Sequence, residues 1–137
     1  ASKVESKIED NASNSQPAKI DITLIGAEAA KQAFEQDAID ATLFQRFIAR
    51  NDILFVKHAM ALLTDTTPLT VGRILGGRNG EAIVALTWRS GLPMPVASEL
   101  QAKVARLSQS AIVKAGPDES YPMSDTQMTR ILSEFLD

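Results

Sequence analysis

The feature that most constrains this chain is how often its apolar periodicity is interrupted. Helix-capping or helix-breaking residues recur from Asp40 onward: Asp40, Asn51, Thr67-Pro68, Gly76-Gly77, Asn79, Gly91, Pro93 and Gly116-Pro117. Between them, apolar residues follow the i, i+3, i+4 spacing of a helix face rather than the alternation of a strand. Short helices joined by turns of a few residues cannot hide an apolar face alone, so they pack as antiparallel neighbours. The pattern therefore predicts an all-α domain, an antiparallel helical array of six or seven helices, built as a HEAT-like repeat or an irregular bundle. Ile20, Ile22 and Leu24 alternate briefly, but no second strand is in sight to pair with them, so they read as an extended lead-in.

Each segment carries its own signals. Gly26 to Gln36 is alanine-rich and helix-favouring. Asp40 caps a helix with Leu43, Phe44, Phe47 and Ile48 on one side, and Asn51 reads as the cap of the next. In that next helix Ile53, Leu54, Phe55, Val56, Ala59, Met60, Leu62 and Leu63 cover most of the circumference, the mark of a buried helix. Thr67-Pro68 reads as N-cap and first helical position, with a stop at Gly76-Gly77. Asn79 starts a second helix apolar nearly all round, Ala82 to Trp88, which Gly91 ends. Pro93 and Pro95 open a longer amphipathic helix over 95–113, with Ala97, Leu100, Val104, Leu107 and Ala111 in one stripe. Ser124 and Gln127 form a capping box, with Met123 and Met128 as its hydrophobic staple and Met128, Ile131, Leu132, Phe135 and Leu136 as the stripe that follows. The expected core includes Phe47, Phe55, Met60, Leu63, Leu75, Leu86 and Leu100. Residues 1–18 are polar apart from Val4 and Ile8, so they read as a flexible tail or linker before a single domain over 19–137. Ala61-Leu62-Leu63-Thr64, then Pro68 and Leu75, is echoed by Ala85-Leu86-Thr87-Trp88, then Pro93 and Leu100, which hints at a helical repeat.

Composition narrows the chemistry. There is no cysteine, so disulfides, thiol catalysis and Cys-ligated zinc are excluded. His58 is the only histidine, which excludes a multi-histidine metal site and fits a surface or rim position. No Gly-x-Ser-x-Gly elbow exists to make a hydrolase of it. No cofactor is called for, and the chain reads as no enzyme. No apolar run reaches the length of about 20 residues that a bilayer requires, so no membrane partner is expected. Ala1 in place of Met reads as a processed product or an excised piece.

Charge is unevenly spread. Residues 1–40 hold four Lys against eight acids, residues 41–114 nine Lys and Arg against four acids, and residues 115–137 one Arg against five acids. A basic middle between acidic ends suits an acidic partner, or an end folding back on it. The middle lacks the dense Lys/Arg and interleaved aromatics of a nucleic-acid binder. Two candidate sites lie within it. The loop Gly76-Gly77-Arg78-Asn79-Gly80, with Arg73 just before, leads into a helix N-terminus, where exposed N–H groups favour an anion. It has no preceding strand and no Gly-Lys-Ser/Thr ending, so it is not a Walker loop, and a plain interhelical turn explains its glycines equally well. Trp88 and Arg89 would make an interface anchor if Trp88 is exposed, and a core contact if it is not.

From Leu43 to Leu107 the chain resembles an alphaproteobacterial family of HEAT-like helical domains, domain of unknown function 2336. The resemblance rests on Asn51-Asp52-Ile53-Leu54-Phe55, Ala59-Met60-Ala61-Leu62-Leu63-Thr64, Val71 to Leu75, and Ala85-Leu86 leading to Gly91-Leu92-Pro93. These are packing positions, so the resemblance implies a repeat-like helical fold in a bacterial cytoplasm and carries over no catalytic residue. The residues and the resemblance together read as a non-catalytic helical interaction or regulatory module, with a protein partner of acidic surface. The alternative is a small-anion or nucleotide sensor using Gly76 to Gly80.

Overall fold

The computed structural model describes residues 23–136. The polar segment 1–18, with Val4 and Ile8, and the residues Ile20 and Ile22 lie outside the described residues. Those described are all helical in architecture, with no strand among them. The helices are α1 (Gly26–Glu35), α2 (Ala41–Ala49), α3 (Ile53–Thr64), α4 (Pro68–Gly76), α5 (Gly80–Arg89), α6 (Met94–Glu99) and α7 (Asp125–Leu136).

Local capping explains most boundaries. The Asp40 carboxylate accepts from Leu43 N at 2.9 Å, Thr67 Oγ1 from Thr70 N at 3.2 Å, and Asn79 Oδ1 from Ala82 N at 3.2 Å. Each satisfies one amide that the first helical turn leaves without a partner. The Ser124–Gln127 box closes reciprocally at 3.0 and 3.1 Å, and Met128 is buried beneath it. The cap of α3 is Asp52 rather than Asn51. Asn51 turns the chain with φ of 61°, a conformation Asn tolerates well, and so leaves the capping place to its neighbour. Asp52 Oδ1 accepts from Phe55 N at 3.0 Å, while Oδ2 accepts from Gly26 N at 2.9 Å. One carboxylate thus ties the starts of α1 and α3 together, and the two helices pack along each other from that end.

The core runs through α2, α3 and α5. Phe55 stacks on Phe47 at 3.8 Å between ring centroids and meets Phe44 at 5.9 Å. Phe44, Phe55, Met60, Ile83, Leu86, Met94 and Leu100 are fully buried. Of the expected core, Leu63 is only half-buried, at the rim of α3.

The amphipathic helix expected over 95–113 is much shorter. α6 passes at Leu100 into a π turn, Leu100–Val104, and the chain leaves helical geometry at Arg106, whose φ is 55°. The reason is Gln101, which is fully buried. Its Nε2 donates to Ala97 O at 3.3 Å and Val113 O at 3.0 Å, and its Oε1 accepts from Val113 N at 2.7 Å. The side-chain amide therefore pairs with the backbone of residue 113 as a neighbouring strand would, and holds the chain in a non-helical path across the start of α5. Leu107 stays buried at the beginning of that path, and Ala111 is exposed rather than part of a stripe. The path continues to Tyr121, whose hydroxyl donates to Leu92 O, and delivers α7 onto α5 and α4.

Candidate interaction surface

α3 carries no acidic residue and only Lys57 and His58 as polar interruptions. One side of it packs on α1 and another on α4, while Phe55, Val56, Ala59 and Met60 point into the core. Helical spacing puts residues 54, 58 and 62 on the remaining side, i, i+4 and i+8. Leu54 is 55% exposed and Leu62 is 37% exposed, with half-buried His58 between them. The neighbouring helices extend this stripe. Ile25, immediately before α1, is 69% exposed, and a Cβ on Gly26 would stand 3.5 Å from Leu54 Cβ, so the start of α1 adjoins Leu54. On α4, Leu69 is 72% exposed. α4 runs beside α3 with Gly72 against the Lys57 stem, 3.4 Å from Lys57 Cδ to where a Cβ on Gly72 would lie. Small Gly72 and Gly76 leave that edge low, and Leu69 and Arg73 stand along it. The exposed side of α3, between the edge of α4 and the start of α1, is thus an apolar strip, the α3–α4 groove.

The residues of the glycine loop divide between this groove and a covered helix start. Arg73, Gly76, Gly77, Arg78 and Asn79 are all exposed. Arg78 adopts the left-handed conformation, φ 56°. Asn79 occupies one amide of the first turn of α5 as its cap. Gly80 is buried. A Cβ there would lie 2.6 Å from Gln101 Oε1, 3.0 Å from Val113 Cγ2 and 3.1 Å from Ala111 O. The Gln101 clamp therefore sits directly on the start of α5, and Gly80 is the residue that lets it approach so closely. Sequence reading missed this role of Gln101. The one signal was a polar residue at i+4 from Ala97 and next to Leu100, on the side of α6 that should be buried.

Trp88 is half-buried against the core, and Arg89 is exposed. Arg89 lines a cleft of ≈ 450 Å³ with Leu63, Thr64, Asp65, Thr66 and Leu136, where the ends of α3, α5 and α7 meet. Trp88 and Arg89 thus belong to opposite settings, one packed and one facing solvent. A second recess, ≈ 640 Å³, lies between the last turn of α2 and the π turn, with Lys103 and Arg106 at its rim and Ile48, Ala49, Asn51 and Ala102 below. Among the described residues no three of His, Cys, Asp and Glu come together as a metal-holding group. No described helix is long and apolar enough to cross a membrane. Burial raises the Tyr121 phenol well above its ordinary ionisation range.

The described residues form, by architecture, an all-helical domain with an apolar strip of exposed side chains on α3, α4 and the residue before α1. By sequence, the chain belongs to a family of uncharacterised proteins conserved in bacteria, domain of unknown function 2336, whose family model matches residues 1–134. That match extends well beyond both ends of the Leu43 to Leu107 segment that first carried the likeness. No curated protein and no solved structure matches the chain.

Proposed function

We propose that this domain is a non-catalytic interaction or regulatory module that engages a protein partner. The observation that carries the reading is the set of large apolar side chains left in solvent along one side: Ile25, Leu54, Leu62 and Leu69. Single exposed apolar residues are ordinary, but several large ones on neighbouring packed helices are the kind of surface that marks a protein contact. The lengthwise packing of α1 on α3 from a shared end supports a repeat-like, HEAT-like array, a build that offers extended faces to partners. Chemical cross-linking in the native lysate tests the reading. A specific adduct should form with the unmodified domain and be lost in the Leu54→Ser/Leu62→Ser/Leu69→Ser variant. These side chains are exposed, so the variant should keep its fold. An adduct pattern identical for both proteins would sink the reading.

The exposure of Arg73 and Arg78 beside the start of α5 supports a second reading, a small-anion or nucleotide sensor using Arg73 and the turn from Gly76 to Gly80. The Asn79 cap and the oxygen-lined packing over Gly80 favour the interaction module of the two.

A further inference from the structure

Resting on the interaction-module reading, we propose that the α3–α4 groove receives an acidic amphipathic helix, its apolar stripe on Leu54, Leu62 and Leu69 and its carboxylates against Lys57 and Arg73. Two features of the groove select that partner among all possible ones.

The first is shape. Leu54 and Leu62 are eight residues apart, about 12 Å along α3 at 1.5 Å per residue. A helix of two to three turns with apolar residues at i, i+4 and i+7 matches this span, the usual way a helix anchors in a groove. Gly72 and Gly76 keep the α4 border low enough for a helical backbone to approach. No atom comes within 4 Å of a Cβ placed on Gly76.

The second is charge. α3 and α4 together carry Lys57, His58 and Arg73 and not one carboxylate. The Lys57 stem lies across Gly72, which puts its ammonium 4.0 Å from a Cβ placed there, on the seam between the helices. Arg73 is exposed one turn beyond Leu69 on the same edge. The nearest acids in sequence, Asp52 and Asp65, stand at the two ends of α3 rather than along its middle, and the Asp52 carboxylate is already taken up by the amides of Phe55 and Gly26. A carboxylate-flanked helix would find two cations bordering its apolar stripe, whereas a lysine-flanked helix of the same shape would meet like charge. Charge bordering an apolar contact mainly sets partner choice and orientation.

Two synthetic helical peptides test the proposal on the whole chain by fluorescence anisotropy. Both carry leucine at i, i+4 and i+7; one has glutamates on each side of that stripe and the other lysines. The glutamate peptide should bind more tightly by about tenfold at low salt, the scale expected of two exposed ion pairs gained against two like-charge contacts, and the margin should shrink at high salt. Lys57→Glu/Arg73→Glu should reverse the preference. Leu54→Ser/Leu62→Ser should abolish binding of both peptides without changing the circular dichroism spectrum. Equal binding of the two peptides, or a preference that the charge-reversal variant leaves in place, overturns the proposal. So does a concentration-dependent dimer that Leu54→Ser/Leu62→Ser dissolves, since the groove would then be filled by a second copy. If neither peptide binds while the cross-linked adduct still depends on Leu54 and Leu62, the acidic-helix inference falls and the module reading survives.

Discussion

α3 and α5 are alike in apolar character but differ in how completely the fold covers them. Both are apolar around most of their circumference, and sequence reading alone assigns both to the interior. α5 is there: every position from Gly80 to Thr87 except Glu81 is buried, and α3, α4, α6, α7 and the π turn all pack on it. α3 has neighbours on three sides and leaves Leu54 and Leu62 in solvent on the fourth. An all-apolar helix can therefore end in the centre of a core or with one side left in solvent. What separates them is whether the rest of the chain supplies a cover. α5 has one because the non-helical path after Arg106 carries α7 across to it, fixed by Gln101 and Tyr121.

The contrast predicts a graded series. The largest effect should fall on Leu86→Ala in α5, which is fully buried and should cost about 2–5 kcal/mol by chemical denaturation. The matching change in α3, Leu54→Ala, should cost less than about 0.5 kcal/mol, as exposed substitutions usually do. Similar losses for the two would mean that α3 is covered after all. Next comes Gln101→Ala, which removes all three clamp bonds and strips Val113 of its partner. A loss of about 1–3 kcal/mol is expected, together with faster amide exchange along 108–123 and at the first turn of α5. An unchanged exchange pattern would show that the clamp does not hold the cover in place.

Tyr121 gives a pH-dependent test of the same cover. Its phenol has an ordinary value of 10.0, and burial raises it in the folded chain. The folded state therefore keeps the neutral form while the unfolded chain ionises. Tyr121 contributes no pH dependence below about pH 10; above it, stability falls as the unfolded phenol loses its proton. Tyr121→Phe should flatten that alkaline fall relative to the unmodified protein, measured as the difference in melting temperature between pH 8 and pH 11. The smallest effect belongs to the glycine turn. Arg78→Ala should barely move the melting temperature, and millimolar phosphate should leave it where it is. A phosphate-induced rise that Arg73→Ala and Arg78→Ala each reduce would instead establish the anion site, because a ligand bound only to the folded state stabilises it by mass action.

What could be read in advance follows the range of the interaction. The caps at Asp40, Thr67, Asn79 and Ser124 were legible because a cap is a bond between residues three apart, complete within one turn. The cap of α3 was misplaced by one residue because Asn51 and Asp52 both suit that role, and only the bond from Gly26 N to Asp52 draws the carboxylate to its place. The helix expected over 95–113 failed at a longer range. Its stripe of Ala97, Leu100, Val104 and Leu107 is a sound local pattern, yet Gln101 finds its partner twelve residues away and the backbone follows. Of the candidate site residues, Arg73 stands exposed in the last turn of α4, just before the turn from Gly76 to Gly80. Leu54, Leu62 and Leu69 were hidden among core-like residues, since hydrophobicity has the same spelling whether a side chain is covered or left in solvent.

The sequence by itself determined that this chain is helical, where most of its helices begin and end, and that no metal site of several histidines or cysteines could be built from it. Those properties rest on backbone amides, turn residues and composition, all local or additive. The tertiary structure alone decided which apolar helix would be covered, that Gly80 would seat a buried glutamine, and that Lys57 and Arg73 would border one groove. Each of these depends on distant segments meeting, and burial is a property of the neighbours a residue acquires rather than of the residue.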